Sequence, residues 1–260
     1  MAKDIDSLRK KAEHGDAEAQ ERLGYYYFVG DEVTQDYEEA AKWWEKSAEQ
    51  GIAVAQTNLG VCYSQGLGVE QNYERAVELW QKAAENGYAD AQIKLGSCYM
   101  QGNGVEKDYE KGIGLYEKAA EQGDSDAEFL LAICYDEGSV IEKDYEKAFE
   151  WFEKAAKHGE VKAQYQVGLR YDDGIGVEQD YEKAVEWYEK AAKQGHVKAQ
   201  YFLGDCYRQG NGVSRDFDQA IYWFRKAAAQ GDIDALQMIE TCQTIKGAFD
   251  TLENLKNRLS

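Results

Sequence analysis

The residues best equipped for chemistry are five cysteines, Cys62, Cys98, Cys134, Cys206 and Cys242, since a thiolate can attack a carbonyl, ligate a metal or pair with a second sulfur. They are spaced 36, 36, 72 and 36 residues apart. That regularity makes them a single position of a repeat rather than a reactive set. A disulfide needs Cα atoms within about 7 Å, whereas one position in two adjacent helical hairpins recurs at about 9–10 Å, the spacing of packed helices. Pairing between neighbours is therefore not expected. Tyr26 and Arg170 hold the same position in other copies, so the thiol is read as a small filler at a half-buried site.

The other chemical candidates are weaker. His14, His158 and His196 all flank glycines, with no Cys or His at ligand spacing, so no metal centre is expected. Carboxylates such as Glu182 and Glu186 precede Lys190 at helical spacing, the pattern of a solvated helix face. The Gly-x-Gly-Val turns imitate a phosphate loop only in letters: they close a helix instead of opening one after a strand, and acidic residues surround them. No catalytic set, cofactor site or metal site emerges.

The elements that carry these residues repeat every 36 positions. A period of this length signals stacked supersecondary units. Full copies occupy 16–51, 52–87, 88–123, 124–159, 160–195 and 196–231. Each carries Ala at its fourth position (Ala19, Ala55, Ala91, Ala127, Ala163, Ala199), then an aliphatic residue four later and Tyr four after that, which is one face of a helix. A glycine follows the aliphatic residue in mid-helix in five copies, at a cost of about 1 kcal/mol relative to Ala, so a close helix–helix approach is expected there. Ala132 takes its place in copy four.

This first helix should end at Gly30, Gly66, Gly102, Gly138, Gly174 and Gly210. A second turn glycine follows two residues later in four copies, whereas Glu32 and Val140 replace it in the other two. The turn then meets Asp36, Asn72, Asp108, Asp144, Asp180 or Asp216, each an N-cap for a second helix. That helix alternates alanine with aromatic residues, as in Lys183-Ala184-Val185-Glu186-Trp187-Tyr188. Copy three is the exception: Gly112 and Gly114 interrupt its second helix, making it the weakest. Residues 1–15 read as an N-terminal half-repeat cap. Residues 232–260 read as a partial repeat that loses register after Cys242, followed by a capping amphipathic helix carrying Phe249, Leu252, Leu255 and Leu259. The whole is expected to be one array.

A net charge of -19 excludes phosphate-backbone binding, which works through Lys and Arg. No apolar run reaches the roughly 18 residues of a membrane span. With no signal-peptide core at the start and no paired cysteines, a cytoplasmic location is favoured; a secreted or periplasmic one applies if a leader was removed.

The pattern running from Val197-Lys198-Ala199-Gln200 through Leu203-Gly204, Tyr207, Gly210, Gly212-Val213, Asp216, Trp223 and Lys226-Ala227-Ala228 to Gly231 closely resembles the Sel-one-like repeat family, relatives of tetratricopeptide repeats. The resemblance covers all six copies. It implies an all-α fold, a right-handed α/α superhelix of antiparallel helix pairs, and adaptor work in protein complexes. Some cysteine-rich members are described as binding or hydrolysing β-lactams, which is the alternative activity the resemblance brings. Their cysteines are disulfide-paired within repeats, and this chain departs from that pattern.

In such arrays the first helices line a concave face. The positions that differ between copies there are the candidate partner-binding residues: Ile93, Ser97 and Met100; Phe129, Ile133 and Asp136; Tyr165, Leu169 and Asp172; Tyr201 and Asp205. From copy three onward the first of these positions is apolar although a solvent-facing site should be polar. An apolar strip bordered by carboxylates suits an extended or helical peptide with basic flanks. Self-association through the C-terminal helix is a further possibility.

Overall fold

The structure, a computed structural model, describes the backbone of residues 2–259 and the side chains of 5–249 and Thr251. Among the described residues it is entirely helical, with no strand. The all-α class and the six 36-residue helix pairs follow the sequence pattern. The chain divides into two compact units, Met1–Ala127 and Glu128–Ser260.

In the first unit α1 (Ala2–Glu13) is followed by the pairs α2 (Ala17–Val29) and α3 (Tyr37–Glu49), α4 (Ala53–Gln65) and α5 (Tyr73–Glu85), and α6 (Ala89–Gln101) and α7 (Tyr109–Ala120). The unit boundary falls inside α8 (Ser125–Glu137). The second unit continues with α9 (Tyr145–Lys157), α10 (Val161–Asp173), α11 (Tyr181–Lys193), α12 (Val197–Gln209), α13 (Phe217–Ala229) and α14 (Ile233–Leu259).

Each pair is built from the same local chemistry. The first helices α2, α4, α6, α10 and α12 stop at a left-handed glycine, for example Gly102 at φ 79°. The second helices are capped as read: the Asp108 carboxylate accepts from the Lys111 amide at 3.0 Å, and Asp144 and Asp180 repeat the bond to Lys147 and Lys183. The Ala and aliphatic stripe is buried throughout, with Leu23, Leu131, Val167 and Leu203 at 0% exposure.

The mid-helix glycine has the expected role. A Cβ on Gly168 would lie 2.6 Å from Cδ1 of Tyr188, and one on Gly60 would lie 2.5 Å from Nε1 of Trp80. The large ring of each second helix is thus seated directly on the first helix's backbone. The second turn glycine joins one copy to the next: a Cβ on Gly104 would sit 2.5 Å from the carbonyl oxygen of Tyr73, the first residue of the preceding copy's second helix. Gly68, Gly176 and Gly212 meet Tyr37, Tyr145 and Tyr181 in the same way. Of the two copies without it, Glu32 keeps the left-handed backbone (φ 59°) and Val140 does not.

Neighbouring copies are also fastened by a buried glutamine. Gln20 Nε2 donates to the Ala12 carbonyl at 2.9 Å, while its Oε1 accepts from Gln50 Nε2 at 2.7 Å. The arrangement recurs as Gln92 with Gln122, Gln164 with Gln194 and Gln200 with Gln230.

Two details differ from the sequence reading. The cysteines are fully buried rather than half-buried, none more than 7% exposed, because the position faces the interior of the helix pair. No turn separates the partial repeat from the closing helix after Cys242. α14 runs unbroken over 27 residues, because Lys246 stands where earlier copies place their helix-ending glycine and Gly247 stays helical. Glu240 is exposed on that helix. The side chains of Leu252, Leu255 and Leu259 lie outside the described residues, and Phe249 is exposed with its ring 6.2 Å from that of Phe217.

Candidate interaction surface on the first helices

In the first unit, Ile93, Ser97 and Met100 occupy successive turns of α6 and are half-buried. Ile93 and Ser97 line an open groove of about 380 Å3 against Val61 and Ser64 of α4, with Lys94 and Gln101 along its edge. The Ser97 hydroxyl is 2.9 Å from that of Tyr116. Met100 is turned towards α7: its sulfur lies where a side chain on Gly112 would begin, 2.7 Å from that position's Cβ. Gly112, read as a helix interruption, is the space into which Met100 packs. α7 is one residue shorter than its counterparts.

In the second unit the remaining candidates are also half-buried, and each aromatic one packs on a second-helix ring of its own copy. Phe129 meets Phe152 edge-on at 5.6 Å, Tyr165 lies 6.1 Å from Tyr188, and Tyr201 meets Phe224 at 5.4 Å. Copies one and two have a tryptophan at that second-helix position. The indole N–H of Trp44 donates to the Glu21 carbonyl at 3.1 Å, and that of Trp80 to the Thr57 carbonyl at 3.0 Å. In these five copies a tryptophan on the second helix goes with a non-aromatic residue on the first, and a smaller ring with a second aromatic; copy three departs, having Tyr116 and the non-aromatic Ile93 at the two positions. This volume matching accounts for the aromatic residues of copies four to six. Ile133 packs against the same core as Phe129, while Leu169 is half-buried on α10.

The carboxylates of the series are engaged within the unit. Asp136 pairs with Nη2 of Arg170 at 2.6 Å, and Arg170 is buried with its guanidinium 5.5 Å from the Phe152 ring centroid. Asp172 accepts from the Tyr188 hydroxyl at 3.2 Å. Burial holds the Asp172 carboxyl above the usual carboxylate range, Tyr188 opposes this, and the charges of Asp173 and Asp205 add to it. Asp205 accepts from Nε of Arg208 at 2.6 Å. Glu137 and Asp173, beside this row, are exposed.

Two features escaped the sequence reading. His196 is an N-cap: its Nδ1 accepts from the Ala199 amide at 3.2 Å while its ring stacks on Tyr165 at 4.7 Å. His158 holds the buried Glu128 at 2.7 Å, the two taking the places of the glutamine pair. The signal for the second was present, since Glu128 and His158 stand 30 residues apart like Gln20 and Gln50. The cysteines are free; burial pushes the Cys62 and Cys206 thiols up to about 12 and those of Cys98 and Cys134 to about 11.

Comparison with known proteins decides the family. The Sel1 repeat model matches residues 17–52, 53–88, 89–124, 125–160, 161–196 and 197–232 in unbroken succession. The chain belongs to the Sel1 repeat family. Its Sel1 copies resemble the crystal structure of a protective antigen present in uropathogenic Escherichia coli strains, with 39% identity and a TM-score of 0.84 over 90% of this chain and 50% of that one. A Sel1 repeat protein from Oxalobacter formigenes is 36% identical with a TM-score of 0.72, covering 85% of this chain and 86% of that one. A curated relative, the secretory immunoglobulin A-binding protein EsiB of Escherichia coli O6:H1, is 45% identical over 42 residues, 16% of this chain and 9% of its own length. The chain therefore spans half of the antigen and a small part of the curated relative. Sel1 repeat proteins generally act as scaffolds for protein–protein interaction. Among the described residues no helix is long and apolar enough to cross a membrane.

Proposed function

We propose that this chain is a non-catalytic adaptor that holds an extended or helical segment of a partner protein against its first helices. The observation that carries the reading is the α4–α6 groove, whose lining includes Val61, Ser64, Ile93 and Ser97, positions at which the Sel1 copies differ, beside repeated ones such as Tyr73, Trp80 and Cys98. Residues that vary on an otherwise repeated scaffold are not dictated by the repeat itself, and those that line an open groove are available for recognition. A net charge of -19, with Glu137 and Asp173 exposed beside the candidate row, favours a segment with basic flanks. The protein-binding name of the curated relative supports the same general reading. Within the first unit Ile93 and Ser97 contribute the groove wall.

A photo-crosslinking side chain placed at Ile93, compared with one at exposed Glu117 on α7, tests this. Adducts with a discrete partner at position 93 and none at 117 are expected. Equal labelling at both positions, or none at 93, overturns the assignment.

A further inference from the structure

One helix of the array lacks a side chain that its counterparts supply. Where α7 reads Gly114-Leu115, the other second helices read Lys42-Trp43, Glu78-Leu79, Glu150-Trp151, Glu186-Trp187 and Tyr222-Trp223. The residue at the second of these positions packs into the core: Trp187 and Trp223 belong to one cluster with the alanines of α8 to α12, and Trp43 packs against the cluster of Ala12, Ala19 and Leu23. In copies one, four and five a lysine three residues on covers the indole, whereas Lys226 of copy six lies over Tyr222. Lys46 lies 4.2 Å from the Trp43 ring centroid, Lys154 lies 3.7 Å from Trp151, and Lys190 lies 3.6 Å from Trp187.

Copy three keeps the lysine, Lys118, without the ring. Beside it an open cavity of about 320 Å3 lies between α5 and α7 over α6, with Ala84, Leu95, Tyr99 and Leu115 as its apolar surface and Gly114 at its edge. Copy two also has leucine at this position, but Leu79 is only 4% exposed and Glu78 stands where copy three has glycine. The vacancy is specific to the Gly-Leu combination. Lys111, paired with Asp108 at 3.0 Å, and Lys118, which has no ion pair among the described residues, face a single carboxylate, Glu85. With Lys111 neutralised by Asp108 and Glu85 held by Gln81, Lys118 is the cation left at this mouth to meet an incoming carboxylate.

We propose that the groove between α5 and α7 receives a tryptophan side chain from a partner polypeptide whose neighbouring residues are acidic. The incoming indole takes the place beneath Lys118 that Trp151 and Trp187 hold beneath Lys154 and Lys190 in their own copies. The cation over the ring and the apolar surface below supply the affinity, and Lys118 at the rim selects the acidic flanks. This site lies on the second helices and is independent of the first-helix groove, so either can fail alone.

The test is an NMR titration of the full chain with a short peptide carrying one tryptophan between glutamates. Saturable shifts centred on the Gly114 and Leu115 amides are expected. Replacing the peptide's tryptophan by alanine, or filling the slot with Leu115→Trp, weakens binding about tenfold or more. Lys118→Gln weakens it about threefold. Gly114→Phe is a second way to fill the slot, since nothing lies within 4 Å of a Cβ built there. Absent shifts at these amides, equal shifts with the alanine peptide, or unchanged affinity in both filled variants overturns the proposal. Free indole shifting these amides while the peptide leaves them unmoved also overturns it, marking a small-molecule pocket instead.

Discussion

The imidazole of His196 lies 4.7 Å from and nearly parallel to the ring of Tyr165, while its Nδ1 accepts the Ala199 amide that opens α12. The cap works only with an unprotonated Nδ1. Burial, with the charge of Lys162 adding to it, holds the imidazole below the usual histidine value. A group depressed in this direction takes up protons more readily when unfolded. Its contribution is therefore complete above the ordinary histidine range and is lost as pH falls from there through the folded-state value. Urea denaturation of wild type and His196→Asn should show a gap that changes between about pH 8 and about pH 5.5 in the direction of relative loss for wild type, because asparagine caps at both.

The same substitution should have opposite signs in two helices. Gly168→Ala drives a methyl into the fully buried Tyr188 ring, 2.6 Å from Cδ1, and should cost about 2 kcal/mol. Gly114→Ala meets nothing within 4 Å and removes a helix-interior glycine, a gain of about 0.5–1 kcal/mol. Denaturant midpoints at constant slope would check both; equal signs would contradict the seating of Tyr188 on Gly168.

Glu128 is 2% exposed and is held by His158 at 2.7 Å where four other copies have two glutamines. His158→Ala should leave a buried carboxylate without its partner and cost about 2 kcal/mol, less than a fully buried pair because the imidazole side is exposed to water. The double change Glu128→Gln with His158→Gln should recover that loss. A thermodynamic cycle over the four proteins measures the coupling directly.

The helix pairs themselves were legible from letters alone, because each depends on residues that local geometry demands: a left-handed glycine at Gly102, a cap at Asp108, a bare backbone at Gly96 under Tyr116. The aromatic series at Phe129, Tyr165 and Tyr201 was visible too, but not its reason. That reason is a volume match with Phe152, Tyr188 and Phe224, residues 23 positions away on a different helix. A pattern read along one helix cannot register it. Nor could the row of carboxylates show that Asp136, Asp172 and Asp205 are each engaged by a neighbour.

The volume match is open to a direct exchange. Phe152→Trp alone should crowd Phe129, and Phe129→Thr alone should leave a gap, whereas the pair together reproduces the Thr57 and Trp80 arrangement of copy two. The coupling should be about 1 kcal/mol in favour of the double variant, read from urea midpoints; strict additivity would remove the pairing as the explanation.

With Cys62 and Cys242 at 0% exposure and the Cys62 and Cys206 thiols raised to about 12 by burial, the folded protein should react with a thiol reagent only on the timescale of opening. All five should label at once in denaturant. Fast stoichiometric labelling of any one in native buffer would show that its helix pair opens independently.

The contact between Gly104 and the carbonyl of Tyr73 bears on how such a chain grows. The partner of each such glycine is main chain, at the start of a helix that each copy opens with an Asp or Asn cap. A segment duplicated in whole steps of 36 residues therefore arrives with a junction that already matches its new neighbour. Lengthening or shortening by complete copies needs no new packing solution, whereas a gain or loss of a few residues inside a turn displaces every later seam.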